Sequence, residues 1–79
     1  MLPAFSFVIP AFNEADRIAK TLRETLSYLK ATSPQSELIV VDDGSTDATS
    51  EIVRDIFAAG TEVTARLLEH SPIAEKAPL

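Results

Sequence analysis

The chain has 79 residues, 46% of them apolar and 24% charged, with only two glycines, which is the composition of a folded domain and excludes a collagen-like repeat or a disordered linker. It contains no cysteine and a single histidine, so a disulfide framework and a histidine-cluster metal site are excluded too. The formal charge of −5 repels nucleic-acid phosphates, and we therefore expect no nucleic-acid partner.

The first predicted elements are a strand and a helix. Residues 5–9 form a short β-branched and aromatic run, which Pro10 ends because proline has no N–H to donate to a ladder. Apolar residues then recur at helical spacing over residues 15–29 and predict an amphipathic helix. Asn13 is suited to cap this helix.

A second strand and helix follow. Residues 38–41 are a continuous apolar run, typical of a parallel strand that is covered on both faces. A polar turn leads to apolar residues at helical spacing over residues 48–57, and Gly60 is expected to end that helix.

The last predicted element is a third strand over residues 63–67, where apolar and polar residues alternate. Residues 68–79 contain two prolines, have no clear period and are predicted to be irregular. Strands that alternate with helices predict two right-handed crossovers and three parallel strands in one sheet. The fold class is therefore α/β, and residues 1–79 are expected to form a single, partial domain.

No segment is expected to span a membrane. The longest nearly apolar run, residues 4–12, is far shorter than the roughly 20 residues that a membrane-spanning helix needs. The start of the chain lacks both the basic residues and the small-residue cleavage site of a signal peptide. We therefore expect a cytoplasmic location.

Chemistry in such sheets concentrates beyond the carboxyl ends of the strands. Residues 10–14 follow the first strand and contain no glycine, and no G-x-x-x-x-G-K-[ST] segment occurs, which excludes dinucleotide and P-loop sites. Asp42 and Asp43 follow the second strand, and their ionised carboxylates suit the N–H donors of a base, ribose hydroxyls or a hard cation. The alternative is that they only cap the following helix.

Two motifs read together are similar to glycosyltransferase family 2. They are VIPAFNE at residues 8–14 and ELIVVDDGSTD at residues 37–47, separated by the amphipathic helix. The resemblance covers residues 5 to about 70 and is greatest to polyprenyl-phosphate and dolichyl-phosphate glycosyltransferases. It implies a hexosyltransferase with a GT-A fold, of which this chain is a three-layer, Rossmann-like half with parallel strands in the order 3-2-1. The implied partners are a UDP- or GDP-linked sugar donor and an acceptor such as a polyprenyl phosphate.

The resemblance assigns six residues to the nucleotide site: Pro10, Phe12 and Glu14 at the base and ribose, Val41 and Asp43 at the floor of the base pocket, and Asp42 beside them. Several have simpler explanations. Pro10 could only stop a strand, Phe12 only fill the edge of the core, and Glu14 only favour the helix dipole. Asn13 is interpreted as a helix cap and His70 as a solvated loop residue.

The sequence departs from the family pattern after the third strand. Family members usually have an Asn and a glycine-flanked Lys there, whereas residues 71–79 contain Lys76 but no glycine. The chain also ends before the Asp-x-Asp motif that holds Mg²⁺ or Mn²⁺ in the family, and before the acceptor half with its catalytic base. The resemblance therefore implies an inactive N-terminal fragment that binds no cation itself, whereas longer relatives act at the membrane surface.

Self-association through the first strand is a further expectation, because in the family the strand that pairs with its free edge lies beyond the end of this chain. Two alternatives to a transferase stay open. One is a receiver-like signalling domain around Mg²⁺, although receivers carry their acid pair after the first strand and not after the second. The other is a non-catalytic nucleotide-binding remnant.

Overall fold

A computed structural model of the chain describes residues 5–70. Three strands alternate with two helices, in the order β1 (Ser6–Ala11), α1 (Ile18–Thr32), β2 (Glu37–Asp42), α2 (Thr49–Ala58) and β3 (Thr64–Glu69). Both strand pairs are parallel, and β2 lies between β1 and β3. The predicted α/β class with three parallel strands is confirmed, and the sheet reads 3-2-1 from its β3 edge.

Both helices lie on one face of the sheet. Side chains alternate along a strand, so Phe7 and Ile9 of β1 point to the same side as Leu38 and Val40 of β2. There they form the core with buried residues of the helices, which are Ile18, Leu22 and Leu29 of α1 and Val53 of α2. The two crossovers run in the same direction across the sheet, which explains why α1 and α2 reach the same side and contact each other.

The other face of the sheet, called here the open face, is uncovered within residues 5–70. Val8 and Leu68 are 58% and 46% exposed on it, and Val41 is only half-buried. Ile39 is buried there because it lies at the middle of the central strand. The described residues thus make two layers, whereas the resemblance implies three.

Helix α1 begins at Ile18, later than the apolar pattern predicts. The carbonyl oxygen of Glu14 accepts from the N–H groups of Arg17 and Ile18, at 2.9 and 2.7 Å, which sets a tight turn before the helix. The interpretation of Asn13 as the cap is wrong, since the N-cap residue is Arg17 and no side chain caps the helix. Asn13 has a φ of 51°, a left-handed conformation that asparagine tolerates better than most residues.

The prediction that Pro10 ends the first strand is wrong, since β1 continues through Pro10 to Ala11 and Pro10 pairs with Val41. The ends of the later elements are closer to the predictions. Gly60 follows α2 with a φ of 101°, and its N–H donates to the Phe57 carbonyl at 3.1 Å, as expected of a residue that ends a helix. Strand β3 continues to Glu69, two residues into the segment predicted to be irregular. The rest of that segment, with Lys76, lies outside the described residues. No helix in the described part of the chain is long and apolar enough to cross a membrane.

Candidate functional site

The loops that follow β1 and β2 lie side by side at the carboxyl end of the sheet. Residue pairing brings Pro10 beside Val41 and Ala11 beside Asp42 at the last positions of the two strands. The Asp43 N–H then donates to the Ala11 carbonyl at 3.0 Å, so the ladder continues one residue past the end of β2. The loops that follow β1 and β2 are therefore held against each other.

Side chains of the second loop and the start of α2 hold the backbone of the first loop. Three successive N–H groups donate across the gap: Asn13 to Ser45 Oγ at 2.9 Å, Glu14 to Thr49 Oγ1 at 2.8 Å and Ala15 to Asp47 Oδ2 at 3.2 Å. Each bond joins residues more than 30 positions apart in sequence. The bonds fix one loop against the other and define the rim of a shared crevice.

Asn13 adds hydrogen bonds in the opposite direction, from the second loop to the first. Its Oδ1 accepts from the Thr46 N–H at 2.8 Å and lies 3.4 Å from the Thr46 hydroxyl. A backbone turn with positive φ presents this amide to the second loop instead of to α1. Asn13 therefore joins the loops, a role that neither the cap interpretation nor the motif indicates.

Asp47 is the most strongly bound acid of the second loop. Its Oδ1 accepts from the Thr49 hydroxyl and, at 2.9 Å, from the Thr49 N–H, while Oδ2 accepts from Ala15. These bonds, chiefly the one from the Thr49 hydroxyl, lower the pKa of Asp47 below its usual value, although partial desolvation opposes them. Asp47 is therefore held as an anion between the two loops.

The acid pair at the end of β2 is divided between the two sides of the sheet. Asp42 lies on the helix side, is 4% exposed, and accepts from the hydroxyl of Ser45. The next residue, Asp43, is exposed at the crevice. Gly44 follows with a φ of 78°, a conformation in which a side chain would be strained. The structure thus makes Asp42 part of the loop's framework and Asp43 available to a ligand.

The other predicted site residues lie at the ends of β1 and β2 and in the first loop. Pro10 and Val41 are register partners on the open face, where they form an apolar ledge below the loops. Phe12 is 57% exposed in the first loop. The Glu14 carboxylate is paired with the Arg17 guanidinium, whose Nη2 lies 3.1 Å from Oε2 and contacts Oε1 as well. A ribose at Glu14 would have to share that carboxylate with Arg17.

His70 has a contact with the site that the sequence interpretation did not predict. It follows β3 directly, its N–H donates to the Asp42 carbonyl at 2.8 Å, and its Nδ1 lies 2.9 Å from Oδ1 of Asp43. Its side chain is 48% exposed, so it borders the crevice. His70 is therefore an exposed loop residue, as interpreted, but it also bonds to the Asp43 carboxylate.

Some of the hydrogen bonds between the two loops can be anticipated from the sequence. Residues 45–49 read Ser-Thr-Asp-Ala-Thr directly after a glycine, a density of short oxygen-bearing side chains that is typical of backbone-binding turns. Their partners in the first loop have no such signal. His70 could be found only by extending the strand pairing one residue beyond β2 and β3.

Two cavities lie away from these residues. One of about 340 Å³ is lined by Leu26, Ile56 and Val63, among others, and one of about 270 Å³ by Phe5 and Glu37, among others. Both lie near the amino ends of the strands, so neither includes a predicted nucleotide-site residue. Within residues 5–70, no three His, Cys, Asp or Glu side chains are grouped so that they could hold a metal ion.

Comparison with known proteins identifies the family to which the chain belongs. The model of glycosyl transferase family 2 matches residues 6–71, which include both loops and all three strands. The chain belongs to glycosyltransferase family 2. Membership in this family confirms the resemblance that was drawn from the two motifs. It excludes the alternative of a receiver domain.

The names of two relatives of this family 2 chain include undecaprenyl phosphate or dolichyl phosphate. It is 37% identical over 67 residues to an undecaprenyl-phosphate 4-deoxy-4-formamido-L-arabinose transferase of Edwardsiella ictaluri, covering 84% of this chain and 21% of the relative. It is 47% identical over 53 residues to a dolichyl-phosphate beta-glucosyltransferase of Trichomonas vaginalis, covering 61% and 16%. The chain thus spans about a fifth or less of these relatives. No solved structure gives a significant match.

Proposed function

We propose that this chain forms the nucleotide-binding part of a family 2 glycosyltransferase, which takes a sugar from a nucleotide-diphosphate donor. The observation that supports this most directly is the exposed Asp43 carboxylate at the junction of two loops that are hydrogen-bonded to each other. A rigid acceptor in a crevice is suited to the N–H donors of a base, since an ionised carboxylate can only accept. Both loops also lie within the region that the family model matches.

Each predicted residue then has a distinct role. Asp43 accepts from the base, and Phe12 contributes an exposed aromatic face on which a base can lie. Pro10 and Val41 provide apolar contact beneath it. The Glu14 carboxylate accepts from ribose hydroxyls, a role in which it competes with the Arg17 guanidinium. Asp42 acts indirectly, by holding Ser45 and with it the backbone of the first loop.

For the whole protein we propose a UDP- or GDP-linked donor, as the family resemblance implies, and a polyprenyl-phosphate acceptor, as the names of the relatives suggest. We further propose that the described elements are one half of a GT-A fold, in which additional chain supplies the third layer on the open face. Charge that develops on a diphosphate leaving group needs a cation or a cationic clamp. The described acids do not fit a cation site, since Asp42 is bonded to Ser45 and Asp43 to His70. We therefore assign Mg²⁺ or Mn²⁺, and the catalytic residues, to none of residues 5–70.

The test is a nucleotide titration of the ¹⁵N-labelled 79-residue chain, followed by amide chemical shifts. We expect UDP or GDP to shift the amides of Phe12 and Asp43 at millimolar concentration, with ADP as the control nucleotide and with little dependence on added Mg²⁺. Asp43→Asn turns one acceptor oxygen into a donor, and we expect it to weaken binding about 5–100-fold, the equivalent of about 1–3 kcal/mol. Asp55→Asn on the exposed side of α2 is the matched control and should bind as the wild type does.

Two results would contradict the proposal. One is the absence of any shift at Phe12 and Asp43 with every diphosphate nucleotide. The other is an equal loss of binding in the Asp43 and Asp55 variants, which would point to charge alone instead of a placed acceptor. A nucleotide-binding remnant without transferase activity predicts the same binding, so transfer of a labelled sugar to a polyprenyl phosphate must be measured on the longer protein.

A further inference from the structure

His70 and Asp43 meet because two ladders continue past the ends of their strands. Asp42 is the register partner of Glu69, so the next pair along β2 and β3 is Asp43 and His70. The backbone bond from His70 N–H to the Asp42 carbonyl, at 2.8 Å, extends this pairing beyond β3. The contact between the two side chains is therefore set by strand register and does not depend on a loose loop.

The chemistry of the pair fixes the direction of its hydrogen bond. A carboxylate has no hydrogen to give, so Nδ1 of His70 donates and Oδ1 of Asp43 accepts across 2.9 Å. Among residues 5–70, none donates to Oδ2 of Asp43. One oxygen of this carboxylate is thus held by the protein, and the other remains to accept from a ligand.

We infer that His70 is a positioning residue of the nucleotide site, which holds Asp43 by one oxygen so that the other can accept from the base. The inference rests on the proposed function and names a residue outside both family motifs. Both side chains are substantially exposed, at 48% and 67%, so their pairing adds little to folding stability. Its effect is on binding, because an acceptor that is already oriented loses less side-chain freedom when the ligand arrives.

Two substitutions separate the hydrogen bond from the bulk of the ring. His70→Asn places an amide nitrogen near the position of Nδ1, where it can still donate to Asp43 but cannot titrate. His70→Leu removes the donor but keeps a side chain of similar size. At pH 7.5 we expect His70→Leu to weaken UDP or GDP binding about 3–10-fold, the loss of one hydrogen bond, and His70→Asn to bind within about twofold of wild type.

A double-substitution cycle tests whether the effect passes through Asp43. In the Asp43→Ala background, His70→Leu should cause no further loss of affinity, because the carboxylate that it positions has been removed. Full additivity of the two losses would overturn the inference. So would a His70→Leu variant that binds as tightly as wild type, or a His70→Asn variant as weak as His70→Leu.

A spectroscopic measurement without nucleotide keeps this test separate from the test of the proposed function. Long-range ¹H–¹⁵N spectra report which ring nitrogen carries the hydrogen, and we expect Nδ1–H in wild type and a redistribution toward Nε2–H in Asp43→Ala, which leaves no acceptor at this position. An unchanged tautomer would show that the pair does not form, which would overturn this inference while leaving nucleotide binding intact. If wild type shows the Nδ1–H tautomer but binds no nucleotide, the proposed function fails and the positioning role fails with it.

Discussion

Asp42 and Asp43 are adjacent in sequence but belong to opposite sides of the sheet. Asp42 is 4% exposed among the residues that contact the helices, and Ser45 donates to it. Asp43 has a side chain that is 67% exposed and lies beside His70. The alternation of side chains along a strand produces this division. As a result, Asp42 contributes to the folded structure, whereas Asp43 is exposed to solvent.

Asp42→Asn is therefore expected to act on stability. The substitution keeps the size of the side chain but introduces an amide with two buried N–H groups, which costs about 1–3 kcal/mol if they find no acceptor. Chemical denaturation followed by circular dichroism measures the change. Asp43→Asn serves as the control and should alter the free energy of unfolding by less than about 0.5 kcal/mol, as surface substitutions usually do. Equal destabilisation by both variants would contradict the division of roles.

Asn13 is expected to contribute through its side-chain oxygen and its backbone conformation. Asn13→Ala removes the bond to Thr46 and places a less tolerant residue at a φ of 51°, so we expect a loss of about 1–3 kcal/mol. Asn13→Asp keeps the acceptor and should retain most of the stability. Thermal unfolding of the two variants distinguishes these expectations, and an aspartate variant as unstable as the alanine variant would argue against the bond to Thr46.

These results show which parts of the site follow from local sequence. The strands and helices were predicted because apolar periodicity is a local signal. Asp43 was singled out only through the family resemblance, since the residues alone did not separate it from Asp42. The start of α1 was predicted wrongly, because Asn13 bonds to Thr46, 33 positions away, instead of capping its own helix. His70 was missed for the same reason, since its partner is 27 positions distant and is brought near only by strand register.

Asp47 gives the loops a dependence on acid. Its pKa is lowered in the folded protein, chiefly by the bond from Thr49, so its contribution to stability is present above the usual aspartate value of about 4 and is lost as the pH falls through the lower folded value. We expect wild type to be more stable than Asp47→Ala at pH 6 and this difference to shrink below about pH 4. Unfolding free energies from pH 6 to 2.5 measure it, and a difference that does not change with pH would contradict the assignment.

The outer edge of β1 has backbone groups without strand partners in the described part of the chain. Phe5 and Ala11 direct their carbonyls to β2, where they accept from Glu37 and Asp43. Because residues of a parallel strand alternate in direction, Ser6 and Val8 turn their N–H and C=O groups to the outer edge. Pro10 also turns outward but has no N–H. Two copies joined antiparallel about Val8 could thus share four backbone hydrogen bonds, two between the valines and one from each Ser6 to the other copy's Pro10 carbonyl.

We expect the isolated 79-residue chain to self-associate through this edge. Val8 is 58% exposed on the open face, so Val8→Lys adds a charge beside the pairing site without disturbing the core, and it should lower the association constant about tenfold or more. Thr64→Lys is the matched control, since Thr64 is exposed at the corresponding edge of β3. Analytical ultracentrifugation across concentration measures association, and amide exchange should slow at Ser6 and Val8 as the concentration rises. A wild-type chain that stays monomeric at every concentration, or a Thr64→Lys variant that dissociates as much as Val8→Lys, would show that β1 is not the contact.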